Sequence, residues 1–179
     1  LVQERVVGGR RWVGHCVRGP GGLELVASRI DRDSPRGTGV ASVQRTAPAP
    51  AEVAQGIRRL LAHVDYRGPA TVSFMERDGS FLVHDVNLRL GASVGLMVRA
   101  GFDMPRRAVE VCLGLDPGGR EVAWRPLSYV YTDGEIGALA AALRGRLDGE
   151  RPSAVAGRIV RAVLHRDAML DPSPLDPFW

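Results

Sequence analysis

The stretch Ala70-Thr71-Val72-Ser73-Phe74-Met75-Glu76-Arg77-Asp78-Gly79-Ser80-Phe81-Leu82-Val83-His84-Asp85-Val86-Asn87-Leu88-Arg89 decides the fold. Ala70–Glu76 and Ser80–Val86 read as two strands, and Arg77-Asp78-Gly79 between them signals a hairpin turn. Two registers are open. A two-residue Asp-Gly turn sets Met75 opposite Leu82, whereas a three-residue loop with left-handed Gly79 sets Met75 opposite Phe81. Only the second gathers Ser73, Met75, Asp85 and Asn87 on one face, and that register is expected. Asp85 and Asn87, two residues apart on a strand, point the same way. Both offer hard oxygen donors, which suit Mg²⁺. Arg89, two further on, can reach a phosphate. Glu76 and His84 should face away. Acid, amide and guanidinium at one strand end suggest nucleotide-phosphate chemistry, although Asp and Asn are equally at home where a strand passes into a turn. Asn87 is the chain's one asparagine.

Working outward, Leu1–Val7, Arg11–Arg18 and Leu23–Ile30 read as strands, the last two joined by Gly19-Pro20-Gly21-Gly22. Asp31–Gly39 reads as a polar loop and Val40–Arg45 as a short strand. The period changes at Ala51: Val53, Ile57, Leu60, Leu61 and Val64 share one helical face. Gly91–Ala100 reads as a short helix. Asp103 caps another, with Pro105 in its first turn and Gly114 beyond its end. Asp116-Pro117-Gly118-Gly119 is linker-like. Glu121–Tyr131 reads as extended, Asp133–Leu147 and Ser153–Leu164 as helices, and the Pro-rich tail from Asp171 as irregular. Phe178 and Trp179 are expected to pack the tail onto the body. The fold class is therefore α+β: a mostly antiparallel sheet flanked by helices. Its division is expected at residue 114, with 115–179 a largely helical extension.

The chain has 179 residues, enough for one domain and an appendage, and its 45% hydrophobic and 25% charged residues are ordinary for a globular protein. No apolar run approaches the length of a membrane span, and no signal pattern opens the chain. Cys16 and Cys112 make no disulfide framework, so a reduced, cytoplasmic protein is expected. Residue 1 is Leu, inside an apolar stretch, which reads as the start of a fragment. The net charge is +4, and all 24 basic residues are arginine. They are scattered and no nucleic-acid motif accompanies them, so codon bias is preferred over nucleic-acid binding. His15, His63, His84 and His165 have neither zinc spacing nor a triad context. Asp33–Gly39 lacks the Gly-Lys-Ser/Thr of a P-loop.

One order of elements is distinctive. A hairpin leads into Asp85-Val86-Asn87-Leu88-Arg89-Leu90-Gly91-Ala92-Ser93, then a helix, then Gly101-Phe102-Asp103-Met104-Pro105, then a helix ending at Leu113-Gly114. This resembles the C-terminal half of an ATP-grasp domain, whose hallmark there is Glu-x-Asn-x-Arg followed by small residues. Asp65-Tyr66-Arg67-Gly68 is similar to the family's entry to these strands, and the resemblance runs over residues 1–114. It implies an ATP- and Mg²⁺-dependent ligase (with Mn²⁺ as an alternative ion) that activates a small carboxylate as an acyl phosphate for attack by an amine or thiol. In that reading Asp85 and Asn87 are metal ligands and Arg89 the catalytic phosphate contact. Met75 lies under the adenine, and Gln3, Glu4 and Val6 belong to the hinge strand whose backbone binds it. Nucleic acid and membrane are not implied partners; a homodimer is an arrangement left open.

The sequence departs from the family in two places. Ser73 stands where the family has an acidic residue or Gln, and Arg10-Arg11 where a ribose-binding Glu is usual. The family's phosphate-binding lysines belong to the other lobe, and this chain has no lysine to replace them. The expectation is that this chain carries the metal half of the site and is inactive alone. The alternative is a degenerate, non-catalytic nucleotide-binding or interaction domain.

Overall fold

A computed structural model of the chain describes residues 8–34, 40–146, 150–164 and 168–171. The expected first strand, with Gln3, Glu4 and Val6, lies outside the described residues, as do the tail residues Phe178 and Trp179. The described residues form two compact units: Leu1–Arg29 with Ala47–Arg125, and Ile30–Thr46 with Pro126–Trp179. Residues 115–125 thus pack with the first unit.

The first unit holds β1 (Arg10–Gly19), the start of β2 (Gly22–Ser34), α1 (Ala51–His63), β4 (Gly68–Arg77), β5 (Ser80–Asn87), α2 (Val94–Ala100) and α3 (Met104–Cys112); β3 (Val40–Ala47) falls almost wholly in the second. Its strand order is β5-β4-β1-β2, so β5 is an edge strand of the unit. β1 pairs antiparallel with β4 in unbroken register from Arg10 opposite Glu76 to Arg18 opposite Gly68. Alternation then sends Trp12, Cys16, Ala70, Val72 and Phe74 to one face, where Val53, Ile57 and Leu61 of α1 cover them. Trp12 stacks on Phe74 with ring centroids 6.1 Å apart, and Phe81 meets Phe74 edge-on at 6.0 Å. Gly14 lets α1 pack closely here: a Cβ at that position would lie 2.8 Å from Ile57 Cδ1, so the Ile57 side chain would have to shift.

The other face of the sheet carries α2 and α3. Gly101, at φ 110°, ends α2, and Asp103 caps α3 by accepting the Arg106 N–H at 3.2 Å. Buried Leu96, Met97, Phe102, Met104, Ala108 and Val111 supply the apolar layer. Arg107 reaches from α3 to β2, where its Nε donates to Glu24 Oε2 at 2.9 Å, and its Nη2 donates to Asp116 Oδ1 at 2.9 Å. Asp116 also accepts the Gly118 N–H at 2.7 Å, and Pro117 O accepts the Gly21 N–H at 2.7 Å. The stretch that reads as a linker is therefore bolted to the β1–β2 turn. Arg107 and the Gly118 amide hold the Asp116 carboxyl down, at about 2.

The second unit holds the end of β2, β3, β6 (Ser128–Tyr131), α4 (Thr132–Leu143), α5 (Pro152–Leu164) and β7 (Ala168–Asp171). Its strand order is β2-β3-β6-β7, with β3–β6 antiparallel and β6–β7 parallel. Within the expected loop 31–39, residues 31–34 continue β2 as strand; only four residues of the expected 121–131 strand are extended. The Glu135 carboxylate is fully buried, accepting from Ser42 Oγ at 3.0 Å and Arg158 Nε at 3.1 Å, with Arg32 Nε 3.2 Å away. No helix among the described residues is long and apolar enough to cross a membrane.

Candidate functional site

The hairpin β4–β5 corrects the expected register and still delivers its consequence. Asp78 and Gly79 take φ of 50° and 77°, both left-handed, so the turn is the two-residue kind and Met75 pairs with Leu82, not Phe81. Such a turn matches the twist of the strands it joins, which favours it over the longer loop. Unbroken, this register would set Asp85 opposite Val72, on the α1 side of the sheet. The register slips between Ser73 and Phe74 instead: Phe74 pairs with Val83, and Ser73 with Asp85. His84 is the extra residue, a β-bulge. Beyond it Thr71 pairs with Asn87. Ser73, Met75, Asp85 and Asn87 thus share the face opposite α1, as expected, by a route that strict alternation cannot anticipate.

The bulge also suspends alternation at His84, expected to face away from Asp85. Burial lowers the imidazole's proton affinity; the charge of Arg11 lowers it further, and Asp85 opposes both. His84 is therefore within electrostatic reach of the site face. Glu76 behaves as expected, accepting from Trp12 Nε1 at 2.9 Å on the α1 side.

Asp85 is exposed, and Asn87 Nδ2 donates to its Oδ2. Two neighbours that the sequence did not single out fix the chain just beyond. Thr71 Oγ1 donates to Arg89 O at 3.2 Å, and the Tyr66 hydroxyl lies 3.1 Å from Leu88 O and 2.8 Å from Pro69 O. Gly91 sits against Thr71: a Cβ there would lie 2.8 Å from Oγ1. The backbone carrying Arg89 is held while its guanidinium, donating to Leu90 O at 3.2 Å, stays exposed. At the other end of the row, Met75 lies across Gly9, where a Cβ would fall 2.8 Å from Met75 Sδ.

The donor set fits a nucleotide-bound Mg²⁺ better than a bare ion. It comprises one carboxylate, one carboxamide and the Ser73 hydroxyl. Among the described residues, no group of three or more His, Cys, Asp or Glu side chains could hold a metal. Mg²⁺ is commonly held by one or two carboxylates with water and phosphate oxygens, which this set allows. A cleft of about 550 Å³ beside α3 is lined by Glu24, Arg107, Glu110 and Asp116, among others, but not by Asp85, Asn87 or Arg89. These four lining charges bond one another, which marks them as structural.

No family model matches the chain, and no curated protein matches it by sequence. Solved structures do. A single-chain, multi-domain long-chain acyl-CoA carboxylase superposes on 62% of the chain with a TM-score of 0.50 and 21% identity. A biotin carboxylase–nucleotide complex from Campylobacter jejuni covers 65%, at 0.53 and 13%. A pyruvate carboxylase variant from Rhizobium etli, with the allosteric activator acetyl coenzyme A, covers 65%, at 0.52 and 19%. These proteins contain ATP-grasp domains, and the chain has the fold of an ATP-grasp lobe. It spans 12%, 28% and 11% of those three chains, respectively.

Proposed function

We propose that this chain is the metal- and phosphate-binding half of an ATP- and Mg²⁺-dependent ligase, which activates a small carboxylate as an acyl phosphate and passes it to an amine or thiol. The observation that carries the reading is the His84 bulge, which turns Asp85 and Asn87 onto the face of Ser73 and Thr71. Asp85 is the anionic ligand. Asn87 serves as the second by turning Oδ1 outward, which gives up the amide's hydrogen bond to Asp85. Bound Mg²⁺, or Mn²⁺ in its place, would neutralise phosphate charge during transfer. Arg89, on its pinned turn, orients the terminal phosphate. Phosphoryl transfer asks for this positioning and charge balance more than for covalent help. Met75, over Gly9, forms the apolar floor for the base.

Ser73 favours a second reading. With a neutral hydroxyl where a further carboxylate would stand, the site holds a nucleotide without turning it over. Both readings require metal-dependent nucleotide binding. Titrating ATP into the chain with Mg²⁺, and again with EDTA, tests that requirement. Mg²⁺ should tighten ATP binding in the native chain, and Asn87→Ala should abolish the gain. An Asn87→Ala chain that keeps the full Mg²⁺ gain contradicts the ligand assignment. Carboxylate-dependent formation of ADP from ATP, measured with the complementary lobe supplied, then separates ligase from binding domain.

A further inference from the structure

The second unit leaves one helix half covered. The inner face of α4 carries Ala138 and Ala142, which pack with Val155, Leu139 and Ile159 between α4 and α5. Its outer face is apolar as well: Ile136 is 54% exposed and Leu143 70%. From Gly134 to Leu143 the one charged residue is Glu135, and it is buried. A surface helix normally turns a polar face to water, as α1 does with Glu52, Gln55, Arg58 and Arg59. A helix that is apolar on both faces is one that is covered on both. Gly137 points the same way. It weakens the helix, yet a Cβ there would meet nothing within 4 Å.

The charges at the helix ends indicate what covers this face. Asp133, Gly137, Ala140 and Arg144 fall at i, i+4, i+7 and i+11, one line along the outer face, with Ile136 and Leu143 beside it. Arg144 still belongs to that line, because its N–H donates to Ala140 O at 3.3 Å. Asp133 and Arg144 are both exposed, about 16 Å apart along the axis. We propose that this face of α4 binds the same face of a second copy of the chain, the two helices antiparallel about a two-fold axis. Such an interface is self-complementary: Asp133 of each copy meets Arg144 of the other, and Gly137 meets Ala140. The small residues at the crossing let the two backbones approach closely. The axis puts Ile136 and Leu143 of both copies on one side of the seam, where they cover one another. A parallel pairing would instead set Asp133 against Asp133 and Arg144 against Arg144. The face belongs to the second unit, and the nucleotide reading plays no part in it.

Sedimentation of the full chain over a wide concentration range tests this. The native chain should associate to a dimer. Leu143→Glu, at a position exposed in the single chain, should leave the fold intact on circular dichroism and the protein monomeric at every concentration. Asp133→Arg alone and Arg144→Asp alone each set like charges together at both ends of the seam, and should raise the dimer dissociation constant about tenfold or more. An equimolar mixture of those two variants should recover dimers near native strength, since each end then joins opposite charges again. A variant that had merely misfolded would not be rescued by its counterpart. A native chain that stays monomeric throughout would overturn the proposal and leave the face to a different partner. Dimers that survive Leu143→Glu, or that both charge variants keep at native strength, would place the contact elsewhere and overturn it too. So would a mixture that associates as weakly as its components.

Discussion

His15 sets an acid limit on the first unit's stability. Its side chain is fully buried on β1; Nε2 lies 3.1 Å from Ser28 Oγ, and Nδ1 has no hydrogen-bond partner. Burial lowers its pKa from 6.5 to about 4, because a charged imidazole in the interior is poorly solvated. The folded pKa is depressed below the unfolded one. Stability is therefore intact above 6.5 and is lost as pH falls toward about 4, since the unfolded chain takes a proton that the folded chain refuses. The whole shift corresponds to roughly 3 kcal/mol, and about 2 kcal/mol of it is gone by about pH 5. Urea unfolding of the native chain and of His15→Leu, at pH 7.5 and pH 5, isolates the effect. His84, whose pKa is also lowered, titrates in both proteins and cancels in the difference. The native chain should lose about 2 kcal/mol more than His15→Leu between those values. Equal losses in the two proteins would refute the argument that burial keeps His15 neutral.

Three further outcomes follow from the packing. Gly91→Ala should cost about 1–2 kcal/mol in urea unfolding by pressing on Thr71. It should also weaken ATP binding without removing the Mg²⁺ gain, and unaltered stability would show that Thr71 gives way freely. Glu135→Gln strips the buried charge that Arg32 and Arg158 share, and should cost about 3 kcal/mol; a change under about 0.5 kcal/mol, the range of ordinary surface substitutions, would contradict the importance of this pair. Deleting His84 makes β5 a regular strand in which Val83 still meets Phe74 and Asp85 still meets Ser73, so the Mg²⁺ gain should survive. Its complete loss, with the fold retained on circular dichroism, would show that the bulge itself is needed.

The sequence made the first unit's layers legible where one face is buried against a regular neighbour. Val53, Ile57 and Leu61 announce α1 by their spacing, and Asp103 and Gly114 bracket α3 because capping is local chemistry. The hairpin was legible in kind but not in register, since Asp78-Gly79 permits two turns and a bulge leaves no mark in composition. The shared face of Ser73, Met75, Asp85 and Asn87 was reached from the wrong register, and it holds because the bulge restores the facing that the two-residue turn alone would reverse. Glu24, Arg107 and Asp116 were missed: their partnership spans 83 residues between Glu24 and Arg107, and no local pattern encodes it. That partnership is also what makes Asp116–Gly119 a packed turn rather than a linker. Thr71 and Tyr66 were passed over for the same reason, since each holds the Arg89 turn through a backbone carbonyl.

The most direct test of the metal site is paramagnetic broadening in amide NMR spectra of the chain with Mn²⁺ and ATP. Selective broadening of Thr71, Ser73, Asp85 and Asn87, absent with Mn²⁺ alone at the same concentration and absent in Asn87→Ala, is the expected result. Broadening centred on Glu24, Glu110 and Asp116, or none beyond that of the free ion, would contradict the assignment of Asp85 and Asn87 to a nucleotide-bound metal.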